Sequence, residues 1–533
     1  MIKIKILMLM MVTFLLSALA YSQETTSEIL GTVTDSNGGL AGATVVAVHL
    51  PSGTKYGTTT RPDGRYNLPN VKIGGPYTIT VTFVGYATSE QSDIVLSLGQ
   101  AYTANFKLQE KSSQLQEVVV TASQDKVFNT NRTGMQETMS RDQITSIPTI
   151  SRSWKDVVKL VPTQNNLSFG GVSSQLNNVT VDGANFNNSF GLGDGTLGGQ
   201  TGAQPISLDA VEQIQVNVSP FDVKYGGFNG GSINTVTRSG NNNLYASVYE
   251  YFKNKNLQGY NVGDISVPKQ DYTYHLIGAT VGGPIIKNKL FYFLNFEQES
   301  KTTPGTIWVA SDDNNPPNGT TVSNANAQQL DQLASFLKQN YGYDPGPYQG
   351  YSYASKSQRL SAKIDWNINE KNTFTFKYNL LRSSADIQAS NSGAANTSYG
   401  RTPGQYAMPF YGSGYVINNN VDMFIGELNT HFSNSMSNKL QIGYTRLRDF
   451  RKPLTSSAFP LVDILDGNGQ PFTSFGYEQY TYNNLLNTNV YQLNDIITVY
   501  KGSHEISVGT QNSYKTYQNG FSPAYEGVYR FNS

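Results

Sequence analysis

Polar and apolar positions alternate with a period of two through much of the C-terminal half of the chain. Leu360, Ala362, Ile364, Trp366 and Ile368 interleave with Arg359, Ser361, Lys363, Asp365 and Asn367. Phe374, Phe376, Tyr378 and Leu380 interleave with Thr373, Thr375, Lys377 and Asn379. That period belongs to a strand with one wet and one apolar face. Nine such segments follow Asn243: 244–253, 272–282, 289–299, 358–368, 372–382, 423–432, 438–448, 490–500 and 504–515. Their links alternate between short (283–288, 369–371, 433–437, 501–503) and long (254–271, 300–357, 383–422, 449–489). Eleven residues at roughly 3.3 Å each, tilted by about 45°, cover about 25 Å, the height of an outer-membrane apolar band. Soluble sandwich strands are nearer about five or six residues. Long strands joined by alternately short and long links predict a transmembrane antiparallel barrel, with short periplasmic turns and long outer loops.

The N-terminal half is patterned differently. Lys3 and Lys5 precede an apolar run from Ile6 to Leu16 and then Ser17-Ala18-Leu19-Ala20. This is the layout of a cleaved secretory signal, with cleavage after Ala20 or Ser22. No later segment holds 18 uninterrupted apolar residues, so any membrane insertion of the mature chain must be as a barrel. Residues 28–108 show short strand patterns separated by turn chemistry. Asp35–Gly39, Pro51–Gly53 and Arg61-Pro-Asp-Gly64 punctuate Ile29–Thr34, Ala43–Leu50, Arg65–Leu68, Tyr77–Val84 and Ala101–Leu108. Proline presets φ in such turns and glycine tolerates positive φ. The words GTVTDSNGGLAGATV, TRPDGRYNLPNV and YTITVTFVGY resemble the carboxypeptidase regulatory-like domain. The resemblance implies a transthyretin-like seven-strand sandwich without catalytic residues.

Between Lys126 and Asn242 lies a stretch of mixed character. Trp154, Val157, Val158 and Val161 share one face of a short helix that Ser151 or Ser153 can cap and Pro162 stops. Asn178–Asp182 reads as a strand entering an Asp-Gly turn, Val211–Val218 as an alternating strand, and Ser232–Thr237 as a last strand. The words SWKDVVKLVP, NNVTVDGANFNN and DAVEQIQVNVSPFDVKYGGFNGGSINTVTRSG resemble the plug of TonB-dependent outer-membrane receptors, in their Oar-like version. Upstream, a polar linker leads into Leu115-Gln-Glu-Val-Val-Val-Thr121, an apolar run that reads as an ordinary strand or as one awaiting a partner edge. Its position resembles the TonB box of those receptors. There an inner-membrane-anchored protein adds a strand and pulls, so the resemblance assigns Glu117, Val118, Val119, Val120 and Thr121 as the coupling segment.

Composition narrows the function classes. The formal net charge is zero and only 14% of residues are charged, which excludes nucleic acid as an expected partner. Thirty-four Tyr and 25 Phe suit the aromatic girdles of a barrel. With no cysteine, disulfides and an N-terminal lipoprotein anchor are ruled out. His49, His275, His431 and His504 lack metal-ligand spacing. Gly193-Asp-Gly195-Thr-Leu-Gly198 satisfies G-x-G-x-x-G, but no strand pattern precedes it and no helix pattern follows, so a flexible plug loop is expected rather than a nucleotide site. Acidic loop stretches at Ser311–Asn315 and Asp466–Gly469 have oxygen donors suited to calcium, although loop acids are usually just solvated. No cofactor, metal site or catalytic residue is expected.

These patterns predict a mainly β chain: a transthyretin-like β-sandwich, an α+β plug and the N-terminal part of a transmembrane antiparallel β-barrel. The expected boundaries are 1–22 (signal peptide), 23–110 (sandwich), 111–125 (linker with coupling segment), 126–242 (plug) and 243–533 (barrel with long loops). The resemblance implies a receptor in the cell outer membrane that takes up an unidentified ligand, not an enzyme. Its partners would be the TonB periplasmic domain, membrane lipid and an extracellular ligand. The alternatives are an outer-membrane adhesin or surface-assembly barrel without uptake, and a secreted enzyme carrying a sandwich module. Nine strands are an odd number, and a plug of over 100 residues calls for about 22. The chain also ends at Arg530-Phe-Asn-Ser533 without a terminal aromatic residue, so a fragment is expected. Expressed as it stands, it is expected not to insert. Heat-modifiable gel mobility of a folded species in outer-membrane fractions would overturn that expectation.

Overall fold

The computed structural model describes residues 24–111, 118–119, 135–149, 152–165, 167–188, 195–218, 225–263, 265–266, 271–455 and 457–532. The expected signal peptide lies outside the described residues. Among the described residues no helix is long and apolar enough to cross a membrane. The first unit is a two-sheet sandwich. Its strands are β1 (Ser27–Thr34), β2 (Thr44–His49), β3 (Thr54–Thr59), β4 (Arg65–Val71), β5 (Gly74–Thr82), β6 (Ser89–Leu96), β7 (Ala101–Thr103) and β8 (Phe106–Lys107). One sheet runs β4-β1-β7 with β8 also on β1. The other runs β3-β2-β5-β6 and is extended at its β6 edge by β9 (Val118–Val119). Alternate residues of both sheets, among them Ile29, Val45, Leu68, Tyr77, Ile79 and Leu96, fill one core. Two strands that the sequence pattern did not mark, β3 and β6, are rich in Thr, Ser, Glu and Gln. They form because neighbouring strands supply the ladder.

The second unit opens with β10 (Met135–Ser140) and helices α1 (Arg141–Ser146) and α2 (Trp154–Val158). It continues with β11 (Gln164–Asn165), β12 (Ser168–Phe169), β13 (Asn178–Val181), β14 (Ala184–Asn185), β15 (Val211–Val218) and β16 (Gly231–Thr237). Its five-stranded sheet runs β10-β15-β16-β13-β14, with β13 parallel to β16. Ser153 caps α2 by accepting from Lys155 N at 3.0 Å. The capped turn presents Trp154, Val157 and Val158 to the core, with Val161 beyond it.

The third unit is a nine-stranded antiparallel sheet with elements between its strands. In chain order it comprises β17 (Tyr245–Asn254), the hairpin β18 (Asn261–Val262) and β19 (Ile265–Ser266), β20 (Thr273–Ile286) and β21 (Leu290–Pro304). Then come β22 (Val309–Ser311), β23 (Val322–Asn326), α3 (Ala327–Tyr341), β24 (Ser352–Asn369), β25 (Asn372–Ile387), β26 (Tyr415–Ser433) and β27 (Met436–Pro453). The chain continues through β28 (Leu461–Leu465), β29 (Pro471–Phe475), β30 (Leu485–Lys501), β31 (His504–Gly520) and β32 (Val528–Phe531). The wall order is β17-β20-β21-β24-β25-β26-β27-β30-β31. Each expected segment is a strand, each pairs with its sequence neighbour, and most run several residues beyond their expected outer ends.

The two faces of this wall differ in kind. One face carries Phe376, Phe424, Ile442, Leu493 and Ile497, exposed although apolar. The other carries Arg359, Ser361, Lys363, Lys377, Asn379, Glu427, Lys439 and Gln441, buried although polar. This inversion of a soluble sheet is what a membrane wall around a polar interior requires.

His49 tests the sandwich. It is buried, with Nδ1 2.6 Å from Ser52 Oγ and its ring against Tyr77. Burial, helped by the nearby Lys72 charge, holds its imidazole down at about 3 against an ordinary 6.5. The unfolded chain therefore binds the proton first as pH falls. The stability contributed by neutral His49 is present above about pH 6.5 and lost as pH drops towards 3. The thermal midpoint of the sandwich is expected to fall between pH 7 and pH 4, and His49→Gln is expected to flatten that dependence; equal slopes would refute it.

Candidate functional site

The second unit, which occupies the stretch expected to be a plug and is called so below for brevity, forms one packed body with the strand wall. The plug core, built on Met139, Trp154, Val157, Val158, Phe169, Val181, Phe186 and Ile214, runs without a break into Leu381, Val421, Met423, Ile425 and Leu447 of the wall. The expected Asp-Gly turn is the point of closest polar contact. Asp182 and Gly183 both have positive φ, 51° and 79°. A Cβ on Gly183 would lie 2.7 Å from Gln441 Nε2 of the wall and displace that side chain, and the positive φ itself favours glycine. Asp182 is wholly buried. Its Oδ1 accepts from Thr237 N at 3.0 Å and its Oδ2 from Thr237 Oγ1 at 2.7 Å, which ties the turn to the end of β16. Lys377 Nζ reaches in from β25 to 3.4 Å of Oδ1.

Around this pair the wall presents a polar chain. Gln441 Nε2 donates to Asp182 O and to Glu427 Oε2, each at 3.1 Å. Asn494 donates to Gln441 Oε1 at 3.1 Å, and Lys363 to Thr237 O at 3.1 Å. Residues just before β1 enter the same cluster: Thr25 Oγ1 donates to Glu427 Oε2 at 2.8 Å, and Glu24 lies 3.5 Å from Lys439 Nζ. A second cluster holds another part of the plug. Ser207 Oγ and Tyr249 OH donate to Glu297 Oε1 at 2.7 and 2.9 Å. Arg359 is buried between Glu297, at 3.3 Å, and Glu299. Within the plug, Asp209 pairs with Arg152 and, at 3.4 Å, with Arg141. The Arg152 guanidinium lies 4.0 Å over the Tyr251 ring of the wall.

The sequence-assigned coupling segment is described in part. Val118 and Val119 run parallel to β6, in register with Ser89 and Glu90; Glu117, Val120 and Thr121 lie outside the described residues. The sandwich bearing this strand contacts the plug directly. Gln213 Oε1 accepts from Leu98 N at 2.9 Å, and Gln215 Nε2 donates to Leu98 O at 2.7 Å. Ile73, Leu98 and Val236 form an apolar cluster across the junction. Wall turns hold the other side of the sandwich: Asn367 donates to Thr54 Oγ1 at 2.9 Å and Asn434 to Thr59 Oγ1 at 3.2 Å. A cavity of about 690 Å³ remains where sandwich, plug and wall meet, lined by Lys72, Arg141, Glu212, Lys363 and Asp365 among others.

The glycine-rich plug loop has no nucleotide geometry among its described residues. A three-residue 3-10 turn, Gly199–Thr201, follows Gly198. Gly198 has φ 77°, and a Cβ there would strike Leu381 of the wall at 2.6 Å. Thr201 Oγ1 donates to Ser383 Oγ at 2.8 Å, so this end of the loop is a wall contact. At the other end of the wall, the long links form a cap around Tyr343, Met408, Phe410, Val462 and Phe475, with α3 packed on it through Leu330 and Leu337. Arg401 is fully buried there. Its Nε and Nη2 meet the two Asp463 oxygens at 2.9 Å each, and its Nη1 donates to Ser390 O and Ser392 O at 2.8 and 3.0 Å. Such a forked pair fixes loops relative to one another. In the calcium-suited stretches, Asp312 Oδ1 accepts from Asn314 N, and Asp466 Oδ1 from Asn468 N and Gln470 N, so both carboxylates serve their own turns.

Comparison with known proteins agrees with this architecture. The model of the outer membrane beta barrel domain matches residues 236–533, and that of the carboxypeptidase regulatory-like domain matches residues 28–109. The chain belongs to the outer membrane beta barrel domain family, and its location is the outer membrane. The TonB-dependent transporter Oar of Myxococcus xanthus is 25% identical over 387 residues, which are 68% of this chain and 34% of Oar. The chain thus spans about a third of the length of that curated relative. Among solved structures, the outer membrane transporter YddB from Escherichia coli is similar over 71% of this chain and 48% of its own, at 11% identity and a TM-score of 0.47. The siderophore receptor PirA from Pseudomonas aeruginosa is similar over 72% and 48%, at 12% identity and a TM-score of 0.43. By their names, two of these relatives are transporters and one is a receptor.

The ionic contacts between plug and wall were not singled out in the sequence, although the signal was present. Arg359, Lys363 and Lys377 occupy the polar half of the strand alternation, the half that turns inward. Asp182→Asn would leave the Lys377 ammonium buried without its carboxylate. It is expected to loosen the plug by about 3–5 kcal/mol, seen as faster hydrogen exchange in β13 and β16. The double variant Asp182→Asn/Lys377→Met is expected to regain much of the protection; unchanged exchange in the single variant would show that the pair does not hold the plug.

Proposed function

We propose that the chain acts in a TonB-dependent outer-membrane receptor that takes up a ligand from outside the cell with energy supplied by the inner-membrane TonB complex. The observation that carries this reading is the plug, packed into the inner wall by a shared apolar core and by buried ion pairs. A passive pore has no use for an obstruction held this firmly. In this reading passage along the inner wall requires work on the plug, and the sandwich and the coupling segment stand on the periplasmic side. The name of the Oar relative supports the same reading.

In this reading residues Glu117–Thr121 are the handle. TonB's periplasmic domain adds a strand there through backbone hydrogen bonds, so side-chain specificity is loose. Force passes to the plug through the residues that precede β10. The ligand meets the cap and the plug from outside, and transport rather than hydrolysis is the activity.

The absence of cysteine makes the test clean. In outer membranes, single cysteines placed at positions 117 to 121 are expected to cross-link to a single-cysteine TonB periplasmic domain. Deleting 117–121 is expected to abolish both cross-linking and uptake while leaving surface assembly intact. Adhesion without any TonB cross-link at these five positions would favour the adhesin reading instead.

A further inference from the structure

The sandwich has a docking edge that its own fold does not require. Strand β3 has a single ladder partner, β2, and the side chains at both ends of this edge strand bond the wall. Thr54 Oγ1 accepts from Asn367 at 2.9 Å, and Thr59 Oγ1 from Asn434 at 3.2 Å. Just beyond β3, Arg61 Nη1 donates to Asn434 O at 3.4 Å, and its guanidinium lies 5.8 Å over the Tyr500 ring. Just before β3, Gly53 packs so closely on Asn288 that no Cβ fits between them, and Pro51 O accepts from Asn242 N at 2.9 Å. Asn288, Asn367, Asn434 and Tyr500 belong to or border the four short links of the wall in turn. One edge of the sandwich therefore spans all of these links. The cavity of about 690 Å³ lies directly inside this seam, with Pro51, Thr54 and Asn367 in its lining.

The seam is weaker than the seat of the plug. Apart from Arg61, its wall bonds join neutral groups, and none of them is fully buried. On the plug side it has the two glutamine bonds to Leu98 and the apolar trio Ile73, Leu98 and Val236. Burial at this junction also holds the Lys72 ammonium below its ordinary range, so docking works against that charge. The plug, in contrast, shares a continuous apolar core and a buried ion pair with the wall. Polar contacts between units of this kind release more readily than a shared core. One strap ties the sandwich in more deeply. Asn234 of the plug donates to Glu24 O, Thr25 Oγ1 donates to Glu427 of the wall, and Thr26 O accepts from Gly99 N at 3.1 Å. The opposite edge of the same sheet carries β9, four strand spacings from β3, or about 19 Å. The sheet is thus held by the wall along one edge and carries part of the coupling segment on the other.

We propose that the sandwich is a hinged closure over the cavity beneath the plug. Strand β3 leaves the short links first, the sandwich pivots on the strap at residues 24–26, and the cavity opens while the plug is still seated. The source of the force rests on the uptake reading. Residues 117–121 lie between sandwich and plug in the chain, so a pull there loads both, and the weaker seam yields first. Exchange between docked and undocked sandwich needs no TonB.

Val236 is 4% exposed in the apolar trio, and the chain has no cysteine. The reaction of Val236→Cys with a charged maleimide therefore reads separation of sandwich from plug. With the full chain in neutral detergent micelles, adding Asn367→Ala/Asn434→Ala is expected to speed labelling roughly twenty-five-fold, about fivefold for each hydrogen bond removed. Thr59→Val, made from the sandwich side, is expected to speed it about fivefold. Hydrogen exchange in β1 and β5 of the sandwich and in β13 and β16 of the plug is expected to stay unchanged, because both units remain folded and the plug stays seated. Should Val236→Cys fail to fold, exchange at the Leu98 amide gives the same readout without it. A short reducible cross-link between Thr59→Cys and Asn434→Cys is expected to slow exchange at Leu98, and reduction to restore it. Unchanged labelling in the folded variants, acceleration with lost protection in β13 and β16, or exchange at Leu98 indifferent to the cross-link would each overturn the proposal. In outer membranes carrying TonB, its engagement at 117–121 is expected to raise labelling further. TonB cross-linked there without any rise would also overturn the closure, whereas failure to cross-link would count against the uptake reading alone, with the micelle measurements deciding the closure.

Discussion

Hydrocarbon offers no partner to a backbone N–H or C=O, and most features of this chain follow from that constraint. With no long apolar helix among its described residues, the chain meets it by pairing strand to strand, and the wall from β17 to β31 does so in continuous antiparallel ladders. Pairing leaves the side chains to alternate, and the environment decides which half goes where. Phe376, Phe424 and Ile442 face outward because lipid costs them nothing. Lys363, Lys377 and Glu427 are therefore directed inward, and whatever fills the interior must satisfy them.

The plug meets that demand in two ways at once. Over part of its surface it is apolar and merges with Leu381, Met423 and Ile425. Elsewhere it offers a carboxylate, a turn carbonyl and a serine to lysines, glutamine and glutamate of the wall. The apolar contact gives affinity without direction. The ion pairs give register, because a buried charge tolerates only the geometry in which its partner is present.

The sandwich adds a third layer of contact. Leu98 is its nearest point to the plug, bonded by Gln213 and Gln215, and Val118–Val119 lie on its β6 edge. Residues before β1 run between plug and wall, where Thr25 and Glu24 meet Glu427 and Lys439. The sandwich, the plug sheet and the wall thus share one polar junction.

The strand alternation determined the number, order and pairing of the wall segments, because a period of two sustained over long runs fits little besides an extended strand with two unlike faces. The cap at Ser153 and the face formed by Trp154, Val157 and Val158 were equally local and equally readable. The strands β3 and β6 escaped notice because their Thr, Ser, Glu and Gln residues carry little periodic signal. Strand β10 and helix α3 were missed as well: β10 is short and polar, while α3 sits in a link whose polar composition suggested only loop. What sequence could not supply was distance. Asp182 and Lys377 are separated by nearly two hundred positions, and Arg401 and Asp463 by about sixty; nothing in the local pattern of either member names the other. Closure of the fold brought each pair together, because a charge leaving water takes the opposite charge that the topology puts within reach.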